Sequence, residues 1–465
     1  MGPASVIDTG DTAWVLGAAA LVLFMTPGLA LFYGGLVRSK NVLGTMMQAV
    51  AAIGVVSVVW LLAGYTFAFG PDMGGVIGGL AHLWFRGVGE VPHALAPTVP
   101  HTAFASFQLM FAVITPALIA GAFAERVRFG GYVAFVALWS LLVYSPLAHW
   151  VWGGGFLGPA GIGALDFAGG TVVHISAGAA ALAAALFVGK RRGYPRGNFA
   201  PHNVPMVVLG AGILWFGWFG FNAGSALGAN GLASSALLAT HLGAAGALLG
   251  WLVPERFRHG KATAVGGATG AVAGLVAITP AAGFVGPVAA LAIGLIGGAV
   301  CFAAVELKAR LGYDDSLDAV GVHMVGGLVG ALLTGVFASL LVNPAGADGG
   351  WLQIGRQAAA AGITLAFSFA ATWVILLVVD RLVGFRVTPE GEEAGIDVAE
   401  HGESAYAFRE HGRHATPPLA SMSDDELAAM RERLVLEATS RVLEAFETRV
   451  AARPNVEDLT RRSDR

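Results

Sequence analysis

From about residue 13 to Val383 the chain alternates long apolar runs with short polar junctions. A window of about 20 apolar residues is the length that crosses a bilayer as a helix. It places spans at approximately 13–36, 43–69, 102–124, 132–152, 168–188, 204–226, 232–253, 262–280, 287–306, 319–341 and 357–383. The pattern predicts an all-α polytopic membrane protein with eleven transmembrane helices, and an odd number puts the termini on opposite sides. Basic residues gather after the odd-numbered runs: Arg38 and Lys40, Arg126 and Arg128, Lys190 to Arg192 with Arg196, Arg256 with Arg258 and Lys261, Lys308 with Arg310, and Arg381 with Arg386. The alternate junctions hold little more than Arg86 and Arg356. The positive-inside rule then predicts an extracytoplasmic N-terminus and a cytoplasmic C-terminus in a multi-pass protein of the cell (inner or plasma) membrane.

Five crossings in spans 1–5 and five in spans 6–10 make the second half inverted relative to the first. Such a five-plus-five inverted repeat places a substrate site at the repeat interface. His174 falls in span 5 and His323 in span 10, the equivalent positions, and Asp166 precedes His174 by the interval at which Asp315 precedes His323. Titratable groups inside a membrane are costly and usually functional. A single intramembrane histidine is readily a satisfied packing residue; a repeat-matched pair points to one shared site. Two neutral imidazoles can hydrogen-bond ring to ring and pass a proton, whereas both could not be charged cheaply in an apolar pore. Asp166, at the head of its helix, reads as a cap for free N–H groups that also suits the helix dipole, with an electrostatic contribution to cation capture beside it. Asp318, at the entry to span 10, reads the same way.

Composition agrees: 56% of the 465 residues are hydrophobic and 12% charged, against about 25% charged in a soluble domain. Many of the 67 glycines lie in apolar runs, where they let helix backbones approach closely. The net charge of −3 averages a nearly neutral membrane part with a charged C-terminal stretch. The single cysteine, Cys301, excludes an intrachain disulfide and reads as a buried thiol. No basic region precedes the first apolar run, so no cleavable signal peptide is expected. Neither Gly189-Lys190 nor Gly260-Lys261 is followed by Ser or Thr, and metalloprotease, Cys-x-x-Cys and Gly-x-Ser-x-Gly patterns are missing. No enzyme activity, cofactor, tightly bound metal or nucleic-acid partner is expected.

The aromatics suggest a recruitment site. Phe107 and Phe111 lie one turn apart on one helix face, Phe221 and Ser225 have the same spacing, and Trp152 ends span 4. Taken singly, each could be core or lipid-facing filler. As a set near outer membrane ends they form a cation–π vestibule with a hydroxyl acceptor, each contact contributing about 0.5–2 kcal/mol. That concentrates a small cation without carrying it across. Moving an ammonium-sized ion into a low-dielectric medium costs on the order of 20 kcal/mol in the idealised limit. Removing a proton from an amine-like acid about two units above ambient pH costs roughly 3 kcal/mol. An apolar pore with two histidines therefore favours neutral ammonia at the constriction, with the proton returning separately or following by way of the pair.

Residues 1–383 thus form the membrane domain. Residues 384–408 are polar and acid-rich, and 409–421 read as a linker. Ser423-Asp-Asp-Glu426 is a capping box that starts a helix to about Arg453 with an imperfect apolar stripe. This C-terminal extension, 409–465, reads either as an oligomerising or docking helix or as a solvated helix on a flexible tail.

Asp166-Phe-Ala-Gly-Gly-Thr-Val-Val-His174-Ile-Ser-Ala-Gly, continuing to Gly189-Lys-Arg191, resembles the signature of the Amt/Mep/Rh ammonium transporter family. Trp215-Phe-Gly-Trp-Phe-Gly-Phe-Asn-Ala-Gly-Ser225, Gly28 to Asn41, Ala124-Glu-Arg-Val-Arg-Phe129 and Ala148-His-Trp-Val-Trp-Gly-Gly-Gly155 are similar to further family blocks. The likeness covers about residues 10–408 and is closer to the Amt branch than to the Rh branch, because Trp152 and Ser225 match the Amt vestibule. It implies a homotrimer with one pore per subunit, carrying ammonium or ammonia and its analogue methylammonium across the lipid bilayer. By motif position, Phe107, Phe111, Trp152 and Ser225 would form the outer recruitment site, with Asp166 in support. Phe111 and Phe221 would form the gate, and His174 and His323 the pore and proton relay. Gly395, Asp397 and Gly402 would belong to a cytosolic regulatory tail that contacts neighbouring subunits and, in many prokaryotic members, a PII signalling protein. The extension after 408 departs from the family pattern. Two rival functions are an Rh-type channel for neutral gas and an ammonium sensor whose tail signals.

Overall fold

In lipid every backbone N–H and C=O must be satisfied within the protein, so the apolar runs fold as helices. A computed structural model describes residues 6–406 and, in part, 423–439. The first five helices are α1 Thr9–Leu36, α2 Val42–Phe69, α3 His101–Phe123, α4 Phe129–Val151 and α5 Gly170–Val188. They are followed by α6 Val204–Gly224, α7 Gly231–His259, α8 Ala264–Ile278, α9 Pro287–Leu311, α10 Val320–Phe337 and α11 Trp351–Leu382. Ten of these are long and apolar enough to cross a membrane among the described residues. The eighth expected span, 262–280, is the shorter helix α8 of 15 residues. α8 is buried from Ala268 to Ile278, so its neighbours rather than lipid set its length.

The two halves meet through small residues. α1 packs along α6, and a Cβ on Gly210 would lie 2.3 Å from the backbone nitrogen of Phe32. Asp166 stands just before α5, whereas Arg191, just past the end of α5, donates from its backbone N–H to Asp314 at 2.8 Å. Asp314 in turn stands just before α10. α10 therefore begins where α5 ends, and the two helices run in opposite directions, as an inverted repeat requires.

Between α2 and α3 the chain forms a two-residue-per-strand hairpin, β1 Asp72–Met73 with β2 Ile77–Gly78, and a short 3-10 segment Leu80–Phe85. At the other end a buried charge network ties the junctions together. Arg38 and Arg191 both pair with Glu125, at 2.9 and 3.2 Å, and Arg191 pairs with Asp314 at 2.8 Å. Burial alone would push the Glu125 and Asp314 carboxyls up. Hydrogen bonds from Arg38 to Glu125 and from Arg191 to Asp314, with the neighbouring guanidinium charges, outweigh it and hold both below the usual carboxylate range.

Two short helices, α12 Pro389–Ala394 and α13 Ile396–His401, dock on this network. Arg386 donates to the backbone oxygens of Val188 and Lys190 at 2.6 and 2.7 Å. Asp397 accepts from Gly44 N–H at 2.8 Å and Glu400 from Phe129 N–H at 2.8 Å. The first turns of α2 and α4 are thus capped by side chains from more than 250 residues downstream. Asn41, which precedes α2, makes no cap with its own side chain; its amide instead holds Glu125 and the backbone N–H of Ile396, each at 2.9 Å. Gly395 has φ of 104°, and a Cβ there would lie 2.5 Å from the Lys40 carbonyl, so only glycine permits this docking. Gly402, with φ of 65°, closes α13.

Residues 407–465 form a separate unit. Its described positions from Asp424 to Thr439 are helical, with Leu427 N–H bonded to Ser423 O at 3.0 Å. The linker and the expected end near Arg453 lie outside the described residues.

Candidate functional site

A cavity of about 230 Å³ opens at the end of the bundle where α5 begins, and Phe111, Trp152, Asp166 and Ser225 all line it. Phe104 and Gln108, which sequence reasoning passed over, share the wall. Phe107 is not on the wall. It is fully buried behind Phe111, rings edge to face at 4.9 Å, so it supports that ring instead of facing a solute. Trp152 meets Phe111 at 6.0 Å, nearly perpendicular, and its indole N–H donates to the Asp166 carbonyl at 2.9 Å. Ser225 donates its hydroxyl to Phe221 O at 2.9 Å, which leaves its oxygen lone pairs available as acceptors.

Asp166 is a cap. One carboxylate oxygen accepts from Gly169 and Gly170 N–H, both at 2.7 Å, and the other from Thr171 and Val172 at 2.8 and 3.1 Å. These four bonds satisfy the donors that every helix start leaves free. The carboxyl group nevertheless borders the cavity. Gln357 fixes the loop above by bonding both the N–H and the C=O of Leu165, at 2.6 and 2.7 Å. Its signal in the sequence is Gln353 and Gln357, one turn apart within an apolar helix.

The floor of the cavity is the stacked pair Phe111 and Phe221, ring centroids 4.1 Å apart. Beyond Phe221 lies a second, narrow cavity of about 20 Å³, room for one water-sized molecule. Its wall is largely aliphatic and aromatic and carries both His174 and His323. The rings form a line: His174 lies 6.0 Å from Phe221 and 5.4 Å from His323, the two imidazoles inclined by 17°. They do not hydrogen-bond to each other. Both nitrogens of His174 and Nδ1 of His323 lack a protein partner, so the ring-to-ring bond that the pair permits is not formed in this arrangement. Trp218 stacks beside His174 at 5.4 Å and is held by Thr279, which also bonds Asn222. This bracket was missed in the sequence. Its only signal is that Trp218 stands three residues before Phe221, on the same helix face.

Local backbone brings the imidazoles together. Each sits in a π-helical turn, Gly170–Ile175 in α5 and Val320–Met324 in α10, a feature frequent at functional sites. Gly178 makes the crossing possible: a Cβ there would lie 2.2 Å from the backbone nitrogen of Met324, next to His323. The expected role of Asp318 as the second cap is corrected. Asp315 caps α10, accepting from Ala319 and Val320 N–H at 3.1 and 2.7 Å. Asp318 has φ of 62°, which turns its side chain to pair with Lys308.

The sequence profile of the Ammonium Transporter Family matches residues 13–406. An ammonium transporter of Bacillus subtilis is 51% identical over 405 residues, covering 86% of this chain and 99% of that protein. One of Mycobacterium tuberculosis is 49% identical over 451 residues, covering 90% and 94%. The crystal structure of Candida albicans Mep2 superposes with a TM-score of 0.78 at 38% identity, over 83% of this chain and 87% of that one. A solved structure described as a sensor Amt protein gives 0.78 at 33%, over 84% and 98%. By profile, sequence and architecture, the chain belongs to the ammonium transporter family.

Proposed function

We propose that the outer cavity recruits NH4+, that the ion loses its proton there, and that NH3 passes the Phe111–Phe221 stack and the His174–His323 lumen. The observation that carries this reading is the succession of two cavities of opposite character across one aromatic stack. The first offers ring faces, a hydroxyl acceptor and the Asp166 charge. The second offers apolar walls, imidazole nitrogens without protein partners and space for one small molecule. The penalty for a bare cation there, on the order of 20 kcal/mol in the idealised limit, far exceeds the roughly 3 kcal/mol of deprotonation. The imidazole pair gives the released proton a route along the same path once the rings turn into the hydrogen-bond contact that they do not make in this arrangement. The resemblance adds a homotrimer with a pore in each subunit, and a PII-type protein at the face that carries the docked tail.

The test is methylammonium uptake and solid-supported membrane electrophysiology on wild type and His174→Ala. Loss of uptake by tenfold or more, or loss of the current with uptake kept, is the expected result. Unchanged uptake and current in the variant would sink the relay. A second reading, an ammonium sensor, draws on the likeness to the sensor Amt protein and on the unit beyond the matched residues. It predicts no uptake but ammonium-dependent partner binding. Uptake without any current on adding ammonium to the wild type in a reconstituted bilayer would favour the neutral-gas channel.

A further inference from the structure

Beside the outer cavity, three histidines from three separate segments converge: His82 from the 3-10 segment, His93 from the following loop and His101 from the first turn of α3. One ring nitrogen from each lies within 4.8 Å of the other two. Ring centroids of His101 are 5.0 Å from His82 and 4.9 Å from His93. The backbone is bent to achieve this. Trp84 and Phe85 hold φ of 60° and 56°, a region bulky residues rarely enter and one that clusters at ligand sites. The turn seats Phe85 edge-on against Tyr65 at 5.2 Å and folds His82 back over the other two rings.

We propose that His82, His93 and His101 form a binding site for a borderline-soft divalent transition metal, Zn2+ foremost. Three imidazoles suit Zn2+, Cu2+ and Ni2+ and are poor ligands for Mg2+ or Ca2+. Carbonyl oxygens set the tautomers. Arg86 O at 3.0 Å requires a proton on His82 Nδ1, which leaves Nε2 as a lone pair, the outer-sphere arrangement common to metal-binding histidines. Phe69 O at 3.3 Å likewise places the His93 proton on Nε2. The Nδ1 lone pair of His93 meets only Leu95 N–H at 3.2 Å, and the His101 Nε2 meets the Tyr65 hydroxyl. A metal takes over these two lone pairs. Ligands at Zn–N of about 2.0–2.1 Å stand roughly 3.4 Å apart in a tetrahedron, so closure needs shifts of about 1.5 Å, and His82 and His93 are only half-buried in loops. Asp72, on the wall of the same small cavity as His82 and His93, supplies negative charge nearby and already holds His149 at 2.9 Å.

The site adjoins the recruitment cavity. His93 stacks on Phe104 with centroids 5.0 Å apart and planes 6° from parallel, and Phe104 lines the cavity that holds Trp152 and Ser225. A bound dication there opposes the arrival of another cation, so the metal damps ammonium capture. This consequence rests on the proposed function; the metal site does not.

The experiment uses the full chain purified without a polyhistidine tag, stripped with chelator and titrated with Zn2+ against a zinc-responsive dye, and with Co2+ for its absorption bands. Wild type is expected to bind one Zn2+ per chain and the His82→Ala/His93→Ala variant at least tenfold more weakly. Size-exclusion profile and melting temperature confirm that the variant folds, and His93→Gln, which keeps polarity and bulk, serves as the milder second variant. Absence of binding at micromolar Zn2+, or equal affinity in wild type and double variant, overturns the site. Methylammonium uptake should fall in wild type at the Zn2+ concentration that fills the site and stay constant in the double variant. A filled site with zinc-indifferent uptake overturns the damping while the binding result supports the site.

Discussion

The segments that open α5 and α10 occupy matching places in the two halves, and each carries a carboxylate cap, a π-helical turn and a histidine. Their surroundings differ. Asp166 takes four backbone N–H groups, has no basic side chain bonded to it among the described residues, and borders an open cavity. Asp315 takes two, is fully buried, and its neighbours Asp314 and Asp318 are paired with arginines and Lys308. Asp166 stands at the cavity edge without a neighbouring basic side chain among the described residues; around Asp315 the charges are cancelled where the tail docks. A common frame therefore sits in two electrostatic settings, and the neutralising cations make the difference.

The sharpest test compares the caps. Asp166→Ala leaves four buried donors unsatisfied, each costing about 1–3 kcal/mol, and is expected to abolish folded protein on detergent sizing. Asp315→Ala orphans two and is expected to give a folded protein with a lowered melting temperature. Equal losses would mean that the two frames are alike. Next comes Lys308→Met. Removing one partner of a partly buried pair should cost about 1–3 kcal/mol, below the 3–5 kcal/mol of a fully buried one, and Lys308→Met/Asp318→Asn should recover most of it in thermal melts. No recovery would break the claim that Lys308 serves to neutralise Asp318.

The acid response should also separate the ends. The folded-state values of Glu125 and Asp314 lie below their unfolded ones, so the stability they add is complete above the ordinary carboxylate range of about 4 and is lost as pH falls through the folded values. The melting temperature is expected to drop below about pH 4, less steeply in Asp314→Asn; identical slopes would show that the network is not the acid-sensitive element. The smallest effect is that of Asp397→Ala, which removes the distant cap of α2. It should cost about 1 kcal/mol and make the 384–402 segment cleavable by protease while the membrane part stays intact. Unchanged cleavage would show that the tail does not depend on this cap.

Much of this was legible in the residues. Hydropathy located the helices because lipid admits little else, and the repeat-matched histidines and the aromatic spacing pointed to side chains that do line up. Among the features that escaped, three show why. Asp318 looked like a cap from its place before an apolar run, but its positive φ and Lys308, distant in pattern terms, decide otherwise. Phe107 shares a helix face with Phe111, yet its ring is fully buried edge to face against Phe111. His82, His93 and His101 lie in a stretch broken by Gly and Pro and without metal-ligand spacing, and only a folded loop with left-handed Trp84 and Phe85 brings them together. Local pattern reports periodicity and propensity; these three outcomes were set by long-range packing.

The wide turns at the histidines make the pathway sensitive to length. A π-helical turn holds one residue more than an α-helix uses for a similar rise. Deleting a single residue from Gly170–Ile175 or Val320–Met324 would let that helix close into a regular spiral. The flanking segments would keep their register, because the extra residue is what the wide turn absorbs, and only the residues inside the turn would be re-aimed. The imidazole would swing off the lumen while the cap and the aromatic stack stayed in place. A chain one residue short at each turn would keep its composition, its hydropathy and its helices, and would lose the line of rings.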